Sequence, residues 1–153
     1  MIKHQLIQFT VMVIVGMLFN PMNMLAYKID HLLPSITLFY GGLLMASNMV
    51  WSHEIVHYLS MGHFSFKLFI IGILLSTIIT IFLLRKQTGI KPREWLKRMI
   101  PHHSTALTTT NALIKNNTAI IENNPKLKKL VKDIIDTQEK EIQIMKNMLK
   151  TDN

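Results

Sequence analysis

Three charge-poor stretches dominate the N-terminal part of this 153-residue chain: Leu6 to Ala26, Leu32 to Trp51, and Phe66 to Leu84, the last with only Lys67 near its start. Each is about 20 residues long, the length a helix needs to cross the hydrocarbon layer of a bilayer. A soluble domain seldom carries three such runs in succession, so the pattern predicts a membrane domain over residues 1–86 with spans at about 6–26, 32–51 and 66–84. The first run reads as an uncleaved span rather than a signal peptide. Its apolar stretch exceeds the usual ~7–15 residues, and Met24-Leu25-Ala26 lacks a small residue at the −3 position.

The chain has no cysteine, which excludes disulfides, thiolate zinc sites and cysteine nucleophiles. Its net charge is +8, concentrated after the third run in Arg85, Lys86, Lys91, Arg93, Lys97 and Arg98. Beside a span, such a cluster reads as attraction to anionic lipid headgroups. No recognition fold surrounds it, so the expected partner is the lipid bilayer and not nucleic acid. The same excess places the C-terminal part on the cytoplasmic side of a multi-pass membrane protein.

Residues 87–92 form a linker broken at Thr88-Gly89, and 93–153 a helical hairpin domain. The first helix runs from about Arg93 to Asn116, with Pro101 kinking or restarting it. Asn123-Asn124-Pro125 is a start signal, an Asn cap followed by proline at the first helical position. The last helix carries an apolar ridge at Leu127, Val131, Ile134, Gln138, Ile142, Met145 and Leu149, spaced by threes and fours. A hairpin of about 60 residues is too small for an independent core. The fold class is therefore all-α, three spans followed by a hairpin expected to dimerise into a four-helix bundle.

Two groups of side chains have ligand chemistry. Met99, His102 and His103 fall within one turn of the first hairpin helix, and Gln138, Glu141 and Met145 within two turns of the last. Antiparallel arms bring the start of one helix to the end of the other, so Met145 should approach Met99 and the histidines. Thioethers and imidazoles suit copper, with zinc as the alternative through the imidazoles. The competing reading is structural: Met145 as core packing, and a histidine paired with Glu141. Adjacent histidines point about 100° apart on a helix, so both rarely bind one ion. The second group is His53-Glu54-Ile55-Val56-His57, which fits H-E-x-x-H, the pattern of zinc metalloproteases with the glutamate as general base. With no third ligand motif downstream, the expectation is an interfacial loop, or at most a metal-loading patch of His53, His57, Met61 and His63.

The stretch RMIPHHSTAL followed by PKLKKLVKDIIDTQEKEIQIMKNML resembles the bacterial domain-of-unknown-function family 305, whose core reads Met-Ile-x-His-His and later Gln-x-x-Glu-Ile-x-x-Met. The likeness covers about Trp95 to Leu149. It implies a ferritin-like helical bundle, some members of which bind copper outside the cytoplasm through methionine and histidine. A subgroup carries a three-span anchor. The resemblance assigns ligand roles to Met99, His102, His103 and Met145, with Gln138 and Glu141 as supporting polar groups. It also points to the side of the membrane opposite to that indicated by the basic cluster. The family often has methionine six positions after the second histidine, where this chain has Thr109, and the Glu-x-x-His pairs of di-iron bundles are missing. The expectation is a bacterial inner-membrane, non-catalytic protein of copper handling or tolerance. The alternative is an oligomerisation or interaction module without metal, and a less favoured one a small membrane metalloprotease using His53-Glu54-x-x-His57.

Overall fold

The computed structural model describes residues 2–151, so residue 1 and residues 152–153, at the ends of the two expected domains, lie outside the described residues. The described residues are helical, with no strand. The helices are α1 (Ile2–Leu18), α2 (Pro21–Met24), α3 (Ile36–Met61), α4 (Phe66–Ile78), α5 (Pro92–Asn116), α6 (Thr118–Glu122) and α7 (Pro125–Thr151). A 3-10 turn covers Ile29–His31, and α4 continues as a wider π-helical stretch over Ile79–Arg85. They form two compact units: residues up to Asn20 with Ile36–Ile90, and Pro21–Ser35 with Lys91 onward.

In the first unit α3 packs against α1 and against α4 with its extension. Glycine makes both contacts close. A Cβ on Gly42 would sit 2.7 Å from the Val13 carbonyl oxygen, and Gly16 lies opposite it, where a Cβ would be 3.3 Å from Gly42 Cα. A Cβ on Gly72 would meet the Trp51 backbone nitrogen at 2.8 Å. Small residues at helix crossings allow this backbone-to-backbone approach. Of the Gly41-Gly42 pair, only Gly42 is used in this way. Gly89, in the breaker that ends the unit, has φ +75°, a conformation glycine adopts without strain.

Two helical segments are long and apolar enough to cross a membrane, Leu6–Met24 and Phe66–Arg85, both largely exposed along their length. The three-span expectation is corrected here. The second run enters α3 only at Ile36, carries Ser47 and Asn48 within it, and the helix continues to Met61 through Ser52, His53, Glu54 and His57. Those polar groups lower its hydropathy below that of its neighbours. Two of them, Ser47 and Glu54, face the interior of the unit instead of its apolar exterior. The first span is also interrupted: α1 ends at Leu18, before Pro21.

In the second unit α5 and α7 pack along each other around a core of Leu96, Ile100, Leu107, Ile142 and Met145, with Leu33, Met99, Ile135 and Leu149 at its margin. The ridge expected on α7 is the face that is buried or half-buried. The Asn124 side chain accepts the Leu127 N–H at 3.1 Å, capping α7 ahead of Pro125. Pro101 sits inside α5, which continues through it. Proline removes one backbone donor there, and its ring is buried in the unit.

Candidate metal centre

Arg93 Nη1 donates to the Leu149 carbonyl at 3.3 Å, and His103 Nδ1 lies 3.0 Å from Glu141 Oε2. These two contacts fix the register of the antiparallel pair. Moving one turn from His103 toward the start of α5 reaches Met99. Moving one turn from Glu141 toward the end of α7 reaches Met145, and Met99 packs on the cluster that contains Met145. Side chains four residues apart share a helix face. One seam therefore carries His103 and Glu141 at one level and the two thioethers about 6 Å further along.

His103 is half-buried, and its Nδ1 has no aligned hydrogen bond although the Glu141 carboxylate is within ion-pair reach. Burial holds its pKa below the usual histidine value, the Glu141 carboxylate pulls against that shift, and His102 adds to it. The imidazole is thus biased toward the neutral form, the form that carries a lone pair for a ligand. His102 is different: it is exposed, with its ring 5.9 Å from that of His103 and turned by 74°. The structure brings His103 to Glu141 and packs Met99 on the cluster that contains Met145. It leaves His102 outside, as expected for neighbours on a helix. Gln138 is half-buried one turn before Glu141. Met145 is 6% exposed within the apolar cluster, the packing role its position on the ridge allowed. Among the described residues no three imidazole or carboxylate groups converge.

A polar cluster in the same unit escaped the sequence reading. Ser104, 0% exposed, accepts the Tyr27 N–H at 2.7 Å and bonds His31 Nδ1 at 2.8 Å. The Nε2–H tautomer of His31 satisfies both, because Ser104 then accepts from Tyr27 and donates to Nδ1. His31 Nε2 faces Asp30 at 3.8 Å, and Asp30 pairs with Lys146. Burial lowers the His31 pKa; Lys146 and Lys28 add to the shift and Asp30 opposes it. The cluster ties residues 27–31 to α5 beside a polar cavity of about 240 Å³ lined by Tyr27, Lys28, His31 and Lys146 among others. Ser104→Ala leaves the Tyr27 donor without a partner and His31 with one fewer, and is expected to destabilise the unit by about 1–3 kcal/mol in denaturant unfolding.

Both shifted histidines act with the same sign on stability. Their folded pKa values lie below the ordinary 6.5. Below pH 6.5 the unfolded chain therefore binds protons that the folded chain refuses. Their contribution is complete above pH 6.5 and is lost as pH falls from there toward the folded values. A melting series from pH 7.5 to 5 should show a falling Tm, and the His31→Gln/His103→Gln variant a flatter profile. Asp30, whose pKa Lys146 lowers from 3.8, acts in a separate window, below about pH 4.

The H-E-x-x-H segment lies near the end of α3. His53 and His57 stack with centroids 5.7 Å apart, and His63 meets His57 edge-on at 5.7 Å. Glu54 is 7% exposed and accepts the Ser65 N–H at 2.9 Å, fixing the loop that leads into α4. Met61 is exposed.

These features describe an all-helical protein with two membrane-competent segments and a Met/His/Glu seam in its C-terminal unit. The pattern of the Domain of unknown function (DUF305) matches residues 84–149. An uncharacterized protein of Acanthamoeba polyphaga mimivirus is 31% identical over 130 residues, which is 85% of this chain and 81% of the viral protein. The chain is thus related to this viral protein along most of its length, and residues 84–149 are similar to the DUF305 family. No solved structure matches it. The viral relative lends no support to the bacterial source expected from the resemblance, and neither match carries a metal in its description.

Proposed function

We propose that this protein is a membrane-anchored, non-catalytic metal-binding protein that handles a transition ion, copper before zinc. The observation that carries the reading is the approach of the buried Nδ1 of His103 to Glu141 Oε2 at 3.0 Å, across α5 and α7. Two donor atoms each about 2.1 Å from a shared ion can adopt that separation. The donor chemistry agrees: His103 and Glu141 would hold the ion, with Met99 and Met145 as soft ligands that favour copper. Bound there, the ion would supply a crosslink between α5 and α7, so that affinity and folding are coupled. His103 is kept neutral by burial, which lessens competition from protons. Glu141 supplies the negative charge.

The lipid bilayer is the proposed partner of the segments Leu6–Met24 and Phe66–Arg85, with the basic residues from Arg85 to Arg98 favouring the cytoplasmic face. Exposed Leu130, Ile144 and Met148 along α7 support assembly of the C-terminal unit with a second copy. The non-catalytic reading is supported by Glu54, whose carboxylate is taken up by Ser65.

Calorimetric titration with copper of the full-length protein in detergent, carrying His53→Ala/His57→Ala to remove the imidazole pair on α3, tests the reading. Copper binding should weaken at least tenfold in His103→Ala, and copper in hundredfold excess over Kd should add about 2.7 kcal/mol of stability. A second reading, a purely structural interaction module, is favoured by the burial of Met145 among apolar neighbours. It predicts a Tm indifferent to copper and to chelator.

A further inference from the structure

We infer that the end of α3 carries a second, independent transition-ion site, formed by the imidazoles of His53 and His57 with His63 as the neighbouring donor. Three observations support it. His53 and His57 are four residues apart on one helix face, and their rings lie 5.7 Å apart. Rings that share one ion through bonds of about 2.0–2.1 Å lie about 5 Å apart, centroid to centroid. His53 is exposed, so closing that difference takes a side-chain rotation and no movement of the backbone.

The second observation is orientation. His57 Nδ1 lies 3.2 Å from the His63 carbonyl oxygen. In the tautomer that donates this bond, Nε2 carries the lone pair and the ring is held in place. Metal-binding histidines are oriented by a bond of this kind to a backbone carbonyl. The His63 ring meets His57 edge-on, 5.7 Å away.

The third observation concerns the glutamate. Glu54 is buried and holds the Ser65 N–H. It thereby fixes the loop that carries His63, and it is not a base beside the imidazoles. The segment has the ligand spacing of a hydrolytic zinc motif but uses the acid as a structural tie. The three imidazoles do not converge on one point as they stand. The site is therefore a surface imidazole pair completed by rotation, suited to divalent copper, nickel or zinc and not to a buried structural ion.

The test uses the full chain in detergent, carrying His103→Ala to silence the C-terminal unit, with Cu(II) as the probe. One Cu(II) should bind with nitrogen hyperfine structure in its electron paramagnetic resonance spectrum. His53→Ala and His57→Ala should each weaken that binding at least tenfold. A change below tenfold in either variant overturns the proposal. A measurement that needs no substitution in α3 guards against misfolding. Sub-stoichiometric Cu(II) should broaden the ring resonances of His53, His57 and His63 first, and rings that stay sharp while other signals broaden also overturn it.

Discussion

Ile100→Ala is expected to remove about 2–5 kcal/mol from the C-terminal unit. Ile100 is 0% exposed, and it joins Leu96 and Leu107 of α5 to Ile142 and Met145 of α7. Truncation deletes buried apolar surface and leaves a cavity that two long helices, held along their whole length, cannot close. Domains of this size have only about 5–15 kcal/mol in total, so the loss takes a large fraction. The consequence reaches the seam, because Met99 and Met145 lie against the same cluster. Chemical unfolding of the full-length protein should show the C-terminal transition at a lower midpoint with unchanged slope. Copper affinity should fall with it, since the two donor pairs are held in register by this core.

Gly42→Ala and Gly72→Ala are expected to disrupt the first unit, by about 1–3 kcal/mol each and more for larger residues. The added Cβ of Gly42→Ala would lie 2.7 Å from a backbone oxygen, and that of Gly72→Ala 2.8 Å from a backbone nitrogen. A backbone atom cannot rotate away as a side-chain tip can, so α1 or α4 must move off α3. Gly41→Ala is the control, because its Cβ would meet only the Asn20 side chain at 3.9 Å. The measurement is resistance to thermal unfolding in detergent or nanodiscs. Gly41→Ala should behave as the parent chain, and the other two should not.

How much of this was legible in the sequence depends on whether the signal was local. The start of α7 follows from Asn124 and Pro125 and its buried face from the spacing of apolar residues, signals that act within a few positions; α5 starts at Pro92, one residue before the expected Arg93. The pairing of the two motifs followed because antiparallel arms leave little choice of register once the helices are known. The second span failed for a physical reason: averaging over Leu32 to Trp51 ended the count before the polar end of α3, and hydropathy cannot tell a polar group facing lipid from one facing a neighbouring helix. His31 and Ser104 could not be found, because their contact joins residues 73 positions apart. Ser104 follows directly on the histidine pair and His31 lies in a short polar turn. Neither has a periodicity that would betray burial. His102 and His103 were both named as candidates, and the 100° between helix neighbours already implied that one would point away; which one does so depends on the rotation of α5. The short α6 and the π-helical end of α4 left no signal that was read in the sequence.

Copper K-edge absorption tests most directly whether donors from α5 and α7 share one ion, as proposed. The full-length protein carrying His53→Ala/His57→Ala leaves only the seam to be loaded. The predicted spectrum has a mixed shell of nitrogen or oxygen and sulfur scatterers. Met99→Leu/Met145→Leu, which keeps the core volume, should abolish the sulfur contribution while the helices stay folded. A shell without sulfur in the parent chain, or one whose sulfur survives loss of both methionines, would contradict the account.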